Sequence, residues 1–318
     1  MMATAAVGLS LVLDSLFGEF PERVHPVSLF GTVVELFDRE WQYPRAAGAV
    51  LALVLPVGVA MVAGGSTALA VQWSHVLGAL VAGLFLFSTT SLRLLVSTAR
   101  GVIDASTADI DSARQSAIAL VGRDTERLSP GEIRSAAIES ASENLADGLV
   151  APLFAFTVGA QFSLAVGVAG AVWVKAVNTL DSMVGYRSRP LGWASARLDD
   201  IVMWVPARLT AMLIAVAGVS GTAPVRARSW CREPQSPNSG WPMATLAAVL
   251  DVRLEKPGSY VLNPAAELPT VEQSHAGVRT VAVAGVLSFS LAGAAVWAAN
   301  PSIAVASLVP FSEVMVWF

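Results

Sequence analysis

The sequence predicts an all-α, polytopic integral membrane helical bundle with a re-entrant or broken segment and polar cytoplasmic loops. Three observations predict it. The 318 residues are 54% hydrophobic and only 14% charged, with a mean hydropathy of +0.61, well to the apolar side of ordinary soluble domains. Several apolar runs are long enough, at about 1.5 Å per residue, to cross a hydrocarbon layer of roughly 30 Å. The sharpest polar words stand at the edges of those runs, where charges beside a bilayer cost free energy and are rarely kept for packing alone. The whole chain, 1–318, reads as one membrane-embedded domain with polar loop regions at 97–147, 175–200 and 221–277.

The first apolar run, residues 3–17, lacks the basic start and small-residue cleavage site of a signal peptide and is read as mature structure. Residues 46–64 and 76–96 each suffice for a span. The connector between them, 65–75, has no Lys or Arg, whereas 97–147 carries Arg100, Arg114, Arg123, Arg127 and Arg134. The positive-inside rule therefore puts the second loop in the cytoplasm. Residues 149–174 fit either one tilted span or two half-length helices meeting near Gly159 and Gln161. Lys175, Arg187, Arg189 and Arg197 follow, so charge counting favours the re-entrant hairpin. Residues 201–220 form a further span whose start is broken by Pro206 and Arg208. Residues 278–299 span again, and a last apolar run covers 303–318.

A net charge of −4 with no basic block argues against nucleic acid as a partner. The single cysteine, Cys231, rules out a disulfide within one chain and a thiolate metal cluster. No P-loop, zincin or nucleophile-elbow motif is present. Any nucleotide would have to be held by carboxylates and metal.

On a helix, Glu139, Glu143 and Asp147 fall at i, i+4 and i+8, so three carboxylates share one face, with Asn144 beside them. Three acids on one stripe repel one another unless a cation joins them, and Mg²⁺ bridging phosphate oxygens is the economical choice. A solvated face paired to Arg134 would give the same pattern. Asp181, Asp199 and Asp200 form a second acidic group beyond the next apolar run. Lys175, Arg123, Arg197 and Arg208 are the nearest cations, able to hold substrate phosphates or to pair with the acids. Pro26 forces His25 out of a helix into an extended turn.

Taken in order, D-x-x-x-G-E-x-P-x-x-x-H-P-V (residues 14–27), GRDT (122–125), ES-x-x-EN-x-x-DG (139–148), APLF (151–154), K-A-V-NTLDSMVGY (175–186), GWASARLDD (192–200), PARL (206–209), SPNSGWPM (236–243) and V-R-L-E-K-P-G-x-Y (252–260) resemble the CobD/CbiB family of cobalamin biosynthesis. Two positions depart from the family's habit: Met203 stands where Asn is common after ARLDD, and Asn263 where Gly usually follows Y-x-L.

The resemblance implies adenosylcobinamide-phosphate synthase, an integral membrane ligase. It would join the propionate of adenosylcobyric acid to the amine of aminopropanol phosphate or ethanolamine phosphate, with ATP and Mg²⁺ as cofactors. The implied partners are these two substrates and the lipid bilayer, with other cobalamin-assembly enzymes as further candidates. The expected metal set is Glu139, Glu143, Asp147 and Asp181. Asp199 or Asp200 is the expected base, acting with Lys175 and Arg197. The expected substrate contacts are His25, Arg123, Asp124, Asn144, Asn178, Arg208, Asn238 and Lys256. A Mg²⁺-dependent prenyl- or alcohol-phosphate transferase and a transporter are the readings from other classes. Polar words at span ends rather than mid-span disfavour transport.

Overall fold

A computed structural model describes residues 1–121, 125–186 and 189–299. Arg123, Asp124, Arg187 and the last apolar run lie outside the described residues. Helix α1 (Met2–Phe17) is followed by a short 3₁₀ turn and α2 (Pro26–Glu35). Helices α3 (Pro44–Trp73) and α4 (His75–Thr89) follow, with a break at Ser74 alone, whose hydroxyl caps the Val76 and Leu77 amides. The expected connector at 65–75 is therefore mostly helix. At 30 residues α3 is about 45 Å long and outruns the hydrocarbon layer.

The region 97–147, expected to be a polar loop, is helical throughout most of its length. It comprises α5 (Arg93–Ala108), α6 (Ile110–Val121) and α7 (Pro130–Leu145). The local reasons are clear. The Asp14 carboxylate accepts from the Leu92 and Arg93 amides at the start of α5. Ser129 and Glu132 form a reciprocal capping box before Pro130 at the head of α7. Polar composition there marks helix rather than loop, exposed along much of α5 and α6 and buried in α7.

Helix α7 runs through a π turn (Ala146–Val150) into α8 (Ala151–Gly159), and the chain then reverses into α9 (Leu164–Val184). The reversal falls where the sequence places it, near Gly159 and Gln161. Backbones touch there: a Cβ on Gly159 would lie 2.9 Å from the Gly167 Cα, and one on Gly167 3.0 Å from the Phe156 carbonyl. Only α8 is half-length. With 21 residues α9 is long enough to span, and it carries Lys175, Asn178 and Asp181 on helix rather than in a loop.

Helices α10 (Trp193–Val202) and α11 (Trp204–Ala217) meet at Met203 with a 48° bend, the broken start expected from Pro206 and Arg208. Beyond a five-residue helix α12 (Ala223–Ala227), the region expected as a long polar loop holds the buried apolar α13 (Gly240–Leu250). It also holds the antiparallel hairpin of β1 (Leu254–Lys256) and β2 (Tyr260–Leu262), the one sheet among the described residues. Asn263 closes that hairpin at φ 52°, a left-handed conformation that Gly adopts freely and Asn tolerates better than most residues. This accounts for Asn at a position where Gly is usual. Helix α14 (Val271–Ala298) completes the bundle.

Among the described residues four helical segments are long and apolar enough to cross a membrane, or five with the bent pair. The main core runs along α1, α4, α5, α7, α8, α13 and α14. A second, smaller cluster joins α2, α3 and α9. Between them lie the acid-bearing segments.

Candidate active site

Helix α7 is buried along its whole middle, from Ser135 to Ser142. A solvated acidic face is therefore ruled out, and Arg134 does not pair with the acids: its guanidinium donates to the Pro269 carbonyl and Ser106. Glu139 sits deepest, at 3% exposure. One carboxylate oxygen accepts from Ser135 Oγ at 2.7 Å and the other from the Tyr260 hydroxyl at 2.6 Å. Ser135 Oγ in turn accepts from the Glu255 amide, so the β-hairpin is fastened to α7 through Glu139. Both Glu139 oxygens accept hydrogen bonds, so this residue, expected among the metal ligands, also anchors the hairpin to α7.

One turn on, Glu143 accepts from Ser239, with Glu139, Asp199 and Lys256 in electrostatic range. Burial, then the neighbouring Glu139, pushes its carboxyl up to about 7. Asp147 lies past the end of α7, in the π turn, and faces Glu143, Lys175, Asn178 and Asp181. Burial first and Glu143 second push it to about 7 as well. The π turn rotates Asp147 relative to a regular i+8 position, toward α9.

Helix α9 answers with Lys175, Asn178 and Asp181 at helical spacing. The Asn178 side chain bonds to both Asp147 and Asp199, bridging the π turn and α10. Asp199 is in range of Asp147 and Asp181, and its Oδ1 is buried with no hydrogen-bond partner. Asp181 is held against the end of α9: a Cβ on Gly185 would collide with its carboxylate. The two acidic groups predicted to meet across an intervening apolar segment do meet.

Lys175 is the cation of this cluster, attracted by Asp147 on one side and Glu19 on the other. On the Glu19 side it lines a cleft of about 360 Å³ with His25, Phe20, Ser28 and residues 88–91. His25 caps α2 through Nδ1, which accepts from the Val27 amide at 3.1 Å, while Nε2 approaches Glu19 at 3.9 Å. Burial, with Lys175 nearby, holds the imidazole below its usual value against the pull of Glu19.

The remaining expected residues fall elsewhere. Asn144 turns its amide back onto Ser140 of its own helix. Arg197 is an exposed residue 3.9 Å from Asp200, and Arg208 bonds to Asn238 at 3.0 Å. Both stand on the far side of α10 from the acid cluster. Ser135, Ser239, Tyr260 and Glu19 belong to the site's surroundings and were not singled out individually by sequence reasoning. Glu19, Ser239 and Tyr260 lie inside recognised words, but only Ser135 lacks any such signal.

Among the described residues no three His, Cys, Asp or Glu side chains converge tightly enough to form a ready-made metal cage. The donor chemistry nonetheless fits Mg²⁺, which binds through one or two carboxylates and fills its remaining positions with water and substrate phosphates. The unbonded Asp199 Oδ1, in range of Asp147 and Asp181, is the observation that favours a cation here.

A family profile described as CobD/Cbib protein matches residues 7–289. A probable cobalamin biosynthesis protein CobD from Methanothrix thermoacetophila is 35% identical over 88% of this chain and 92% of its own. Proteins called cobalamin biosynthesis protein CobD from Geobacter metallireducens and Rhodobacter capsulatus are 38% and 35% identical, over 85% and 81% of this chain and 86% and 82% of theirs. No solved structure matches. With the match running through every element that carries the acid cluster, the chain belongs to the CobD/CbiB family.

Proposed function

We propose that this chain is adenosylcobinamide-phosphate synthase. In this reading it condenses the propionate of adenosylcobyric acid with the amine of (R)-1-amino-2-propanol phosphate or ethanolamine phosphate, at the cytoplasmic side of the membrane. The observation that carries the reading is the meeting of Glu143, Asp147, Asp181 and Asp199 around Lys175 and Asn178, supplied by three segments remote in sequence. Membership of a cobalamin-biosynthesis family supports a corrinoid as one substrate.

An amide cannot form from a carboxylate in water without activation. The propionate oxygen attacks the γ-phosphorus of ATP, giving an acyl phosphate and ADP; the amine nitrogen then attacks the acyl carbon, expelling inorganic phosphate and releasing one proton. Mg²⁺, when bound, would neutralise charge on the transferring phosphoryl group. Asp147, Asp181 and Asp199 are the residues that would hold it. Lys175 reaches from this face into the cleft of Glu19 and His25, where it can neutralise the propionate and steer it toward the phosphoryl group. Glu143 is the proton acceptor closest to hand for the attacking ammonium. A carboxyl near 7, as at Glu143, is matched to that task at neutral pH.

The test is a reaction of purified protein with adenosylcobyric acid, either amino alcohol phosphate, ATP and Mg²⁺. A condensed corrinoid of the expected mass, absent when ATP or Mg²⁺ is omitted, is the predicted result. A lipid-phosphate transferase is the competing reading favoured by one feature, an apolar cavity of about 330 Å³ that Lys175 also lines. Transfer to an isoprenoid phosphate with no corrinoid product would establish it instead.

A further inference from the structure

Beside the acid cluster, and separated from it by α10, lies a second cavity of opposite character. Its volume is about 440 Å³ and its walls include Arg197 and Asp200 from α10, Arg208 from α11, and Arg232, Gln235 and Trp241 from the segment entering α13. Consecutive residues on a helix point about 100° apart, so Asp199 faces the acids while Asp200 faces the arginines. Three guanidinium groups against one carboxylate leave the lining with an excess of two positive charges. Asn238 ties α10 to α11 along this cavity: its Nδ2 donates to the Asp200 carbonyl at 2.8 Å and its Oδ1 accepts from Arg208 at 3.0 Å.

The guanidinium of Arg208 is set in place before any ligand arrives. It also donates to the Trp204 carbonyl at 2.7 Å and lies over both the Trp204 and Trp241 rings, 4.3 and 5.3 Å from their centroids. Those ring faces orient the cation. Arg197, by contrast, has its side chain 65% exposed and only a distant 3.9 Å approach to Asp200. Arg232 is exposed on the opposite wall. One fixed fork flanked by two that can close is a suitable arrangement for a small dianion with three equivalent oxygens.

We infer that this pocket binds a phosphomonoester dianion, with Arg208 as the preset donor and Arg197 and Arg232 closing on it. A phosphomonoester carries about −1.5 to −2 charges at neutral pH, which matches the excess of the lining. The assignment concerns binding and does not rest on the amide-forming reaction.

The test is a binding titration of full-length protein in detergent with inorganic phosphate and with O-phosphoethanolamine, and in nanodiscs containing phosphatidic acid, a lipid with the same headgroup chemistry. Arg232→Gln and Arg208→Gln are each expected to weaken binding by about tenfold or more, with affinity falling as salt rises. Arg100→Gln, which removes an exposed charge on α5, is expected to bind like wild type. Arg232 lies at the surface, so its variant keeps the test open even if Arg208→Gln misfolds. Loss for the soluble ester marks a soluble substrate as the source of the phosphate, and loss for phosphatidic acid alone marks a lipid; either supports the site. Unchanged affinity of Arg232→Gln for all three probes overturns it. Intact, arginine-dependent binding without any corrinoid product would overturn only the proposed reaction.

Discussion

Helices α3 and α7 invert what a soluble protein would do. The α3 span is apolar almost without interruption, yet only 28% of its most hydrophobic window is buried in the protein; it faces lipid, where an exposed Leu or Val is at home. Helix α7 is rich in Ser and Glu, yet its middle is wholly buried. Burying polar groups costs free energy unless they are hydrogen-bonded or paired. Ser135 and Tyr260 bond both oxygens of Glu139 at one end of α7, whereas Glu143 and Asp147 at the other end hold bonds from Ser239 and Asn178 but are crowded by further acids. The difference separates two environments along one helix: the fully bonded acid fastens the hairpin, and the crowded acids, pushed up to about 7, are the ones the proposed reaction would use.

The sharpest way to break this comparison is to remove Lys175, the buried cation beside Asp147. Lys175→Met should abolish activity, by about a thousandfold or more, and destabilise the protein by about 3 kcal/mol, because buried acids lose their counter-charge; turnover and thermal unfolding check both. Glu143→Gln should separate the two effects. It is expected to lower corrinoid condensation by about a hundredfold while raising thermal stability at pH 8 by about 2 kcal/mol. A stably inserted Glu143→Gln protein with full Mg²⁺-dependent activity would remove this residue from the mechanism.

The fully bonded end should respond in the reverse sense. Tyr260→Phe takes one hydrogen bond from buried Glu139 and should cost about 1–3 kcal/mol in stability, with little change in Mg²⁺ dependence. The smallest effect is expected just past the hairpin's second strand. Asn263→Gly relieves a left-handed backbone but loses side-chain bonds to Val252 and Asp251, so the two changes should offset to within about 1 kcal/mol, read as a shift in unfolding temperature.

How much of this was legible in the chain differs by element. The hairpin at Gly159, the break near Pro206 and the capped, extended His25 follow from Gly, Pro and turn chemistry, which act locally. The meeting of the two acidic groups was legible too, since charges at the ends of neighbouring apolar runs tend to share one side of a bundle. The helicity of 97–147 was not. There, polar composition resembles that of a loop, although Ser129 and Glu132 form a capping box and α7 is buried by protein rather than by lipid. Likewise Glu139 looks like a third ligand by spacing, and only the distant Tyr260 and Ser135 reveal it as an anchor. Arg232 and Trp241 carry no local signal, because their pocket exists only once α10, α11 and the entry to α13 are packed.

In the proposed reaction Asp147, Asp181 and Asp199 form one cation-binding face with Glu143 beside it. That arrangement is tested most directly by unfolding temperature against pH, with and without Mg²⁺. Glu143 and Asp147 are raised to about 7 in the fold, from ordinary values near 4.5 and 3.8. The folded state therefore holds more protons than the unfolded one between roughly pH 4 and 7. Stability should be greatest at the acidic end of that window and fall as pH rises through it, and Mg²⁺ should restore it at pH 7.5 in wild type but not in Asp181→Asn. Equal Mg²⁺ stabilisation of wild type and Asp181→Asn, or an unfolding temperature that rises from pH 5 to 8 without metal, would contradict the account.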